Sequence, residues 1–244
     1  MSRDAVLGLL RERRPLVALT GAGASAESGV RPFRAPGATG WLWGGLGAVG
    51  LVLAGLGVAW RKWPRIAYFF FTHCFRAAVD AAQPNACHDF LARANARIVT
   101  TNVDGLHERA GADPARVAAI HGTAQLDVCA VCGGDVPCGA PCGGPPRPAV
   151  LFFNDYMFPR AVTAAGERAD ALVCDCAGAL VFVVGVSWAV QSLAFYLVRL
   201  RAQGVRVVHV NPAAPPAEFR GADDIWVAEP AGAFFGWLLT VNAM

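Results

Sequence analysis

The sequence predicts an α/β protein built on a doubly wound parallel sheet of about six strands. Six short runs rich in apolar and β-branched residues recur along the 244 residues, helix-like stretches separate several of them, and a loop of glycine, alanine and serine follows the first run at once. In chain order the runs are LVALT (16–20), RIVTT (97–101), VAAIH (117–121), ALVFVVG (179–185), VRVVHV (205–210) and DIWVA (224–228). Their apolar character fits buried strands. PNACHDFLARANA, with its proline start, and SLAFYLVRLRAQG, with its glycine stop, read as crossover helices, so the strands should run parallel. Ligands of such sheets sit beyond the carboxyl ends of the strands.

The chain is long enough for one sizeable core, or one core with a small appendage. Charged residues make up 16% and the mean hydropathy is +0.41, unusually apolar for a soluble protein. The net charge of +3 comes without a basic run beyond RERR (11–14), so no direct nucleic-acid binding is expected. The N-terminal MSRDAVLGLLRERRP is charged at Arg3, Asp4 and 11–14, which interrupts any export signal and predicts a cytoplasmic location. In a reducing compartment the eight cysteines argue for metal or packing over disulfides, and four of them fall between Cys129 and Cys142. The stretch GGLGAVGLVLAGLGVAW (44–60) is uncharged and is followed by Arg61, Lys62 and Arg65, so its length allows membrane contact. Its glycines, and its place between the first strand and the rest of the same sheet, favour a buried or interfacial helix.

Gly21, Gly23 and Ala26 of GAGASA (21–26) match the dinucleotide fingerprint with alanine in the last place. Small residues there let backbone amides approach a pyrophosphate, and a helix beginning near Ser25 would aim its positive end at the same charge. The acidic residue that usually follows about twenty positions on is missing, because residues 35–60 contain no Asp or Glu. An ordinary dehydrogenase is thereby disfavoured. TTNVDGLHERAGA (100–112) places Asn102 and Asp104 at one strand end and IHG (120–122) places His121 at the next, so that all three can converge over one crevice. Cys129 and Cys132 form a zinc knuckle that Cys138 and Cys142 would complete as a tetrahedral thiolate site, although the pairs are close together and the second is CxxxC. Cys74, Cys87, Cys174 and Cys176 read as buried small apolar residues.

Taken together, GAGASAESGVRPFR, QPNACHDFLA, TTNVDGLHERAG, IHG, the four clustered cysteines, CGGPPRPAVLFFND, GVS and VNP make the chain resemble the sirtuins, NAD-dependent protein deacylases. The segments run in this order from about residue 15 to residue 212. The resemblance implies one catalytic domain over 1–244, with a Rossmann-like core (10–42, 85–125 and 160–244), a helical, apolar cofactor-loop module (43–84) and a small zinc-binding module (126–150). It implies NAD as cofactor, a structural Zn2+, and as substrate an acylated lysine of a protein, with nicotinamide and O-acyl-ADP-ribose released.

By the same resemblance His121 is the general base, Asn102 holds the ribose and a water, and Asp104 receives the nicotinamide carboxamide while remaining suited to cap the helix at GLHERA. Phe33 screens the reactive ribose carbon and Arg34 reaches the phosphate side. Gly21, Ala22, Gly23, Ser25, Ala26 and Thr101 line the cofactor with them, and Gly185, Val186, Ser187, Asn211 and Pro212 surround the adenosine ribose. Leu151, Phe152, Phe153 and Asn154 belong to the segment that pairs with the substrate peptide as an added strand. The chain departs from the family at Pro32, Thr101 and Val186, and with Asn154 and Asp155 in place of Gly-Glu. An NAD glycohydrolase or ADP-ribosyltransferase on the same fold, or a non-catalytic NAD or ADP-ribose binding protein, therefore stands beside deacylation. The apolar region 43–75 suits either a long-chain acyl pocket or a membrane-facing patch.

Overall fold

The computed structural model describes residues 2–30, 57–134, 136, 142–155 and 159–241. The six expected strands are present as β1 (Leu16–Thr20), β2 (Arg97–Thr100), β3 (Val117–Ala119), β6 (Leu180–Val184), β7 (Arg206–Val210) and β8 (Ile225–Val227). They form one parallel sheet in the order β3-β2-β1-β6-β7-β8. The order reverses between β1 and β6, where Leu16 pairs with Leu180 and Thr20 with Val184. A crevice at the carboxyl end of these two strands follows from that reversal.

Side chains alternate between two buried faces, as a period of two requires. On one face Ala18, Leu180, Phe182 and Val184 pack with α1 (Ser2–Arg11), α5 (Ala86–Arg93) and α9 (Ala231–Thr240) through Val6, Phe90 and Phe235. Phe90, Phe182 and Phe235 meet with ring centroids 5.2–6.3 Å apart, mostly edge to face. On the other, Val17, Leu19, Val181 and Val183 pack with α7 (Arg160–Val173) and α8 (Ser192–Arg201) through Ala169, Val173, Leu193 and Leu197. Both expected crossover helices are therefore present. α5 begins at Asn85, whose Oδ1 accepts the Cys87 N–H at 2.9 Å while His88 Nδ1 accepts the Asn85 N–H at 3.2 Å. This reciprocal cap satisfies two N–H groups that the first turn cannot.

A third cluster belongs to the apolar region. There α2 (Gly57–Lys62), α3 (Pro64–Phe70), a π-helical turn (Phe71–Arg76) and α4 (Ala77–Ala81) follow one another. Trp60, Phe71, Phe75 and Val79 are buried against Leu106, Ala124, Val150 and Phe152. Much of the apolarity of 57–79 is thus core packing, whereas Val58, Trp63, Ile66 and Phe69 remain exposed. Residues 44–56 lie outside the described residues, and no helix among those described is long and apolar enough to cross a membrane. Of the four cysteines expected to be buried, Cys87 and Cys176 are; Cys74 is half-buried and Cys174 exposed. Cys174 is the C-cap of α7, exposed between core-buried Val173 and Cys176.

β4 (Gly122–Cys129) and β5 (Pro146–Val150) form a separate antiparallel ribbon, irregular between Thr123 and Asp127. Gly122 sits at φ +86, and a Cβ there would lie 1.9 Å from the Ala149 carbonyl oxygen, so no other residue fits the start of β4. Arg76 clamps the ribbon to the helices: Nε donates to the Ala124 carbonyl at 2.7 Å and Nη2 to Asp127 Oδ1 at 2.5 Å, while Tyr68 Oη donates to Asp127 Oδ2 at 2.7 Å. Arg147 within β5 and Asp155 beyond it form a two-pronged ion pair of 3.0 and 2.5 Å with both side chains fully buried. The guanidinium lies over the rings of Trp60 and Phe152, 5.7 and 5.2 Å from their centroids. Asp155 Oδ2 also accepts the Phe152 N–H at 3.1 Å, which fixes the turn between them.

Breaking a buried pair leaves one charge without compensation. Asp155→Ala is expected to cost about 3–5 kcal/mol, read as a lower urea midpoint at pH 7 with an unchanged m-value.

Candidate active site

The loop after β1 is pinned to the end of β6. Gly21 N–H donates to the Val184 carbonyl and Gly23 N–H to the Gly185 carbonyl, both at 2.9 Å. A Cβ at Gly23 would lie 2.6 Å from Gly185 Cα, and one at Gly185, itself at φ +61, would lie 2.3 Å from Ala24 N. These glycines are needed first for loop-on-loop contact, which lays the floor of the crevice. The helix expected near Ser25 does not form within the described part of the loop. Two 3-10 turns, Ala22–Ala24 and Ala26–Ser28, end instead at Gly29 in the left-handed region. Asn85 Nδ2 holds this shape by donating to the Ala24 carbonyl and to Ser28 Oγ, each at 2.9 Å. Ala22 and Ala26 are exposed and Ser25 is buried; Phe33 and Arg34 lie outside the described residues.

Ser25 is the centre of a buried polar chain. Asn102 Nδ2 donates to Ser25 Oγ at 3.0 Å, and His88 Nε2 lies 3.3 Å from the same oxygen. Because His88 Nδ1 accepts the Asn85 N–H, the neutral ring carries its proton on Nε2 and donates to Ser25. With both lone pairs occupied, the Ser25 hydroxyl has its own proton left to donate. Deeper in, His107 Nε2 lies 3.0 Å from Thr20 Oγ1, and the His107 ring centroid is 4.8 Å from that of His88. Asp104 is buried; its Oδ1 accepts the Leu106 N–H at 3.0 Å, capping α6 (Leu106–Arg109) as expected even though the helix boundary falls at Gly105. Gln125 Nε2 holds the Asp104 carbonyl at 2.7 Å.

His121 follows β3, half-buried beside half-buried Thr101. Its Nε2 lies 3.1 Å from Ser192 Oγ at the start of α8, and its carbonyl accepts the Leu151 N–H at 2.9 Å. The expected general base is therefore tied by its backbone to the expected peptide-binding segment. In that segment Leu151 is half-buried, Phe152 buried, and Phe153 and Asn154 exposed, with Asn154 at φ +54. Burial pushes the His121 imidazole below its ordinary value, opposed by a hydrogen bond to the Thr101 backbone. Burial lowers His88 as well, against the pull of Asp104. His107 is driven furthest down, first by complete burial and then by the neighbouring His88.

On the other side of the switch point Gly185 and Val186 are buried, Ser187 and Pro212 exposed and Asn211 half-buried. Asn211 is held by its N–H to the Val227 carbonyl at 3.1 Å and by Trp226 Nε1 to its own carbonyl at 2.9 Å. Between them Trp188, at φ +60, stacks on Phe219 with centroids 4.3 Å apart. Sequence alone does not single out His88, His107, Ser192 or Trp188. Only His88 carries a usable signal, at the third helical position behind Pro-Asn, where a capping side chain is wanted.

Three of the four expected metal ligands, Cys129, Cys132 and Cys142, bring their sulfurs within 4.8 Å of one another. Cys138 lies outside the described residues. The N–H groups of Cys132 and Val131 point at Cys129 Sγ at 3.5 and 3.4 Å and, with Cys142, pull that thiol down to about 6. Soft donors at this spacing, one of them already near the thiolate, fit zinc.

A parallel sheet with a glycine-rich loop pinned across its reversal, and with a buried amide and imidazole bonded to that loop through Ser25, defines an α/β protein of the dinucleotide-binding class. The chain belongs to the Sir2 family, which residues 21–192 match. It is 34% identical to NAD-dependent protein deacylase 1 of Pseudomonas aeruginosa, over 93% of this chain and 94% of that protein. It is 35% identical to the NAD-dependent protein deacylase of Ralstonia nicotianae, over 89% and 87%. A crystal structure of a Sir2 homologue in complex with NAD superposes with a TM-score of 0.74 at 28% identity, covering 98% of this chain and 93% of that one.

His88 and His107 have folded-state pKa values below the unfolded value, so the stability of their neutral burial is complete above about 6.5 and is lost as the pH falls from there toward the depressed values. The urea midpoint is expected to be level from about pH 7 to 8 and to fall below about 6.5. His107→Gln is expected to make that fall shallower. Metal analysis is expected to give about one zinc per chain, and a strong chelator to lower the melting temperature unless zinc is restored.

Proposed function

We propose that the chain is an NAD-dependent protein-lysine deacylase that releases nicotinamide and an O-acyl-ADP-ribose. The observation that carries this reading is the buried Asn102–Ser25–His88 chain on the glycine-rich loop of a Sir2-family fold whose relatives bear that activity in their names. NAD, when bound, supplies an electrophilic ribose carbon that takes the acyl oxygen as nicotinamide leaves. Every other part falls to this chain. His121, kept neutral by burial, accepts a ribose hydroxyl proton near pH 7. Asn102 is tied to Ser25 and in this reading offers its remaining amide groups to the ribose, while the Ser25 hydroxyl proton is left for a phosphate oxygen. Asp104 meets the carboxamide, and by the family resemblance Phe33 has the role of screening the reactive ribose carbon and Arg34 that of reaching the phosphate side.

Gly21, Ala22, Gly23, Ala26 and Thr101 line the cofactor, and Gly185, Val186, Ser187, Asn211 and Pro212 take its adenosine end. Leu151 to Asn154 take the acyl-lysine peptide as an added strand. Cys129, Cys132, Cys138 and Cys142 hold a structural zinc with no open position for water. We assign these roles within one catalytic domain, with the boundaries expected from sequence, and place the protein in the cytoplasm.

The test is nicotinamide release with and without acyl-lysine peptides. Release is expected to depend on the peptide, and His121→Ala to lower it about 10²–10⁴-fold. Equal release without peptide would make the chain a glycohydrolase or ADP-ribosyltransferase, and NAD binding without release a non-catalytic binder.

A further inference from the structure

We propose that the outward face of α2 and α3 is a docking surface for a membrane rich in anionic lipid headgroups, on which this part of the protein rests without crossing it. The proposal is independent of the reaction at the crevice.

The two helices divide their side chains between core and solvent. Ala59, Trp60, Ala67 and, one turn on, Phe71 face inward and belong to the third core cluster. That core makes no use of the opposite side, yet Val58, Trp63, Ile66 and Phe69 stand there 43%, 52%, 54% and 54% exposed. Spacings of three and four put Val58 beside Arg61 and Lys62 on α2, and Arg65 and Ile66 beside Phe69 on α3, with all three cations exposed. The exposed His73 ring stacks on Phe69, with centroids 4.2 Å apart, and prolongs the row.

The charge of this face has one sign. Residues 28–79 hold no Asp or Glu. The carboxylates that reach these helices from the ribbon and the turn after it are already taken, Asp127 by Arg76 and Tyr68 and Asp155 by Arg147. Arg61, Lys62 and Arg65 form no ion pair among the described residues. Unpaired cations interleaved with exposed aliphatic and aromatic side chains match a partner that carries anionic groups above hydrocarbon. The long basic side chains keep their charge at the headgroups while Trp63, Ile66 and Phe69 go deeper. A stable protein partner covers about 800 Å² on each side, a poor match to one row of side chains along two short helices. A fluid lipid surface has no shape of its own to be matched.

The test is co-sedimentation of the full chain with phosphatidylcholine vesicles, with and without phosphatidylglycerol as the minor lipid. Binding is expected only with the anionic lipid and is expected to fade at high salt. Lys62→Gln with Arg65→Gln is expected to weaken it about thirtyfold, about fivefold per charge. Ile66→Ser with Phe69→Ser is expected to weaken it at least about tenfold. Both double variants alter exposed side chains, and an unchanged melting temperature confirms that they fold. Arg11→Gln with Arg13→Gln removes as much charge from the exposed N-terminal run and is expected to leave binding within about twofold. No binding to the anionic vesicles, or unchanged binding in either variant of the helices, overturns the proposal. An equal loss in the N-terminal variant overturns it too, by assigning the binding to net charge. So does a dimer in sedimentation velocity that dissociates in Ile66→Ser with Phe69→Ser, which gives the face to a second copy of the chain.

Discussion

The contact on which the rest depends is the one between Gly23 and Gly185, where two loops from opposite sides of the sheet reversal touch backbone to backbone. Side chains on either strand end would hold the loops several ångströms apart. With none there, the loop after β1 lies flat, Ser25 drops into the interior and meets Asn102 and His88, and the crevice acquires a floor made of peptide groups. A floor of this kind carries N–H dipoles without side-chain bulk, which suits an anionic ligand.

Above that floor the protein buries more polar chemistry than its composition suggests. Thr20, Ser25, His88, Asn102, Asp104 and His107 are all among its buried polar residues. An unpaired group of this kind costs free energy, and each of these residues has at least one neighbour that fixes its rotamer, although His107 Nδ1 is buried with no hydrogen-bond partner among the described residues. His88 shows how closely fold and site are joined. The same ring that caps α5 through Nδ1 orders Ser25 through Nε2, so the start of a structural helix and the orientation of Asn102 are one arrangement.

The sheet was legible because β-branched runs such as ALVFVVG have no competing reading once helices lie between them. All six strands were placed to within one or two residues, and the sirtuin-like motifs pointed to the Sir2 family. The helix predicted near Ser25 does not form in the described loop, where Asn85, about sixty residues away, takes the Ala24 carbonyl that would have accepted the Ser28 N–H in a helix, and holds the Ser28 hydroxyl as well. The apolar helices carried no motif, and their purpose is visible only in three dimensions, where Trp60 and Phe152 stack with centroids 5.1 Å apart over Arg147. Ser192 was illegible for the same reason, since a serine opening a helix is ordinary until His121 stands beside it. Cys174 was read as buried because cysteine usually is, a preference that gives way at a helix cap whose side chain faces away from the core that holds Val173 and Cys176.

Arg76 sits in the helical part of the chain and Asp127 in the ribbon, two residues before Cys129 on the same strand. Neither piece is therefore a free-standing cassette. A chimera that borrowed the cysteine ribbon from a relative but kept these helices would strand a guanidinium against a foreign carbonyl edge. The reverse swap would leave a carboxylate and the Tyr68 hydroxyl without their common partner. Recombination within this family has to carry the two segments together, although some fifty residues of sheet and crevice separate them along the chain.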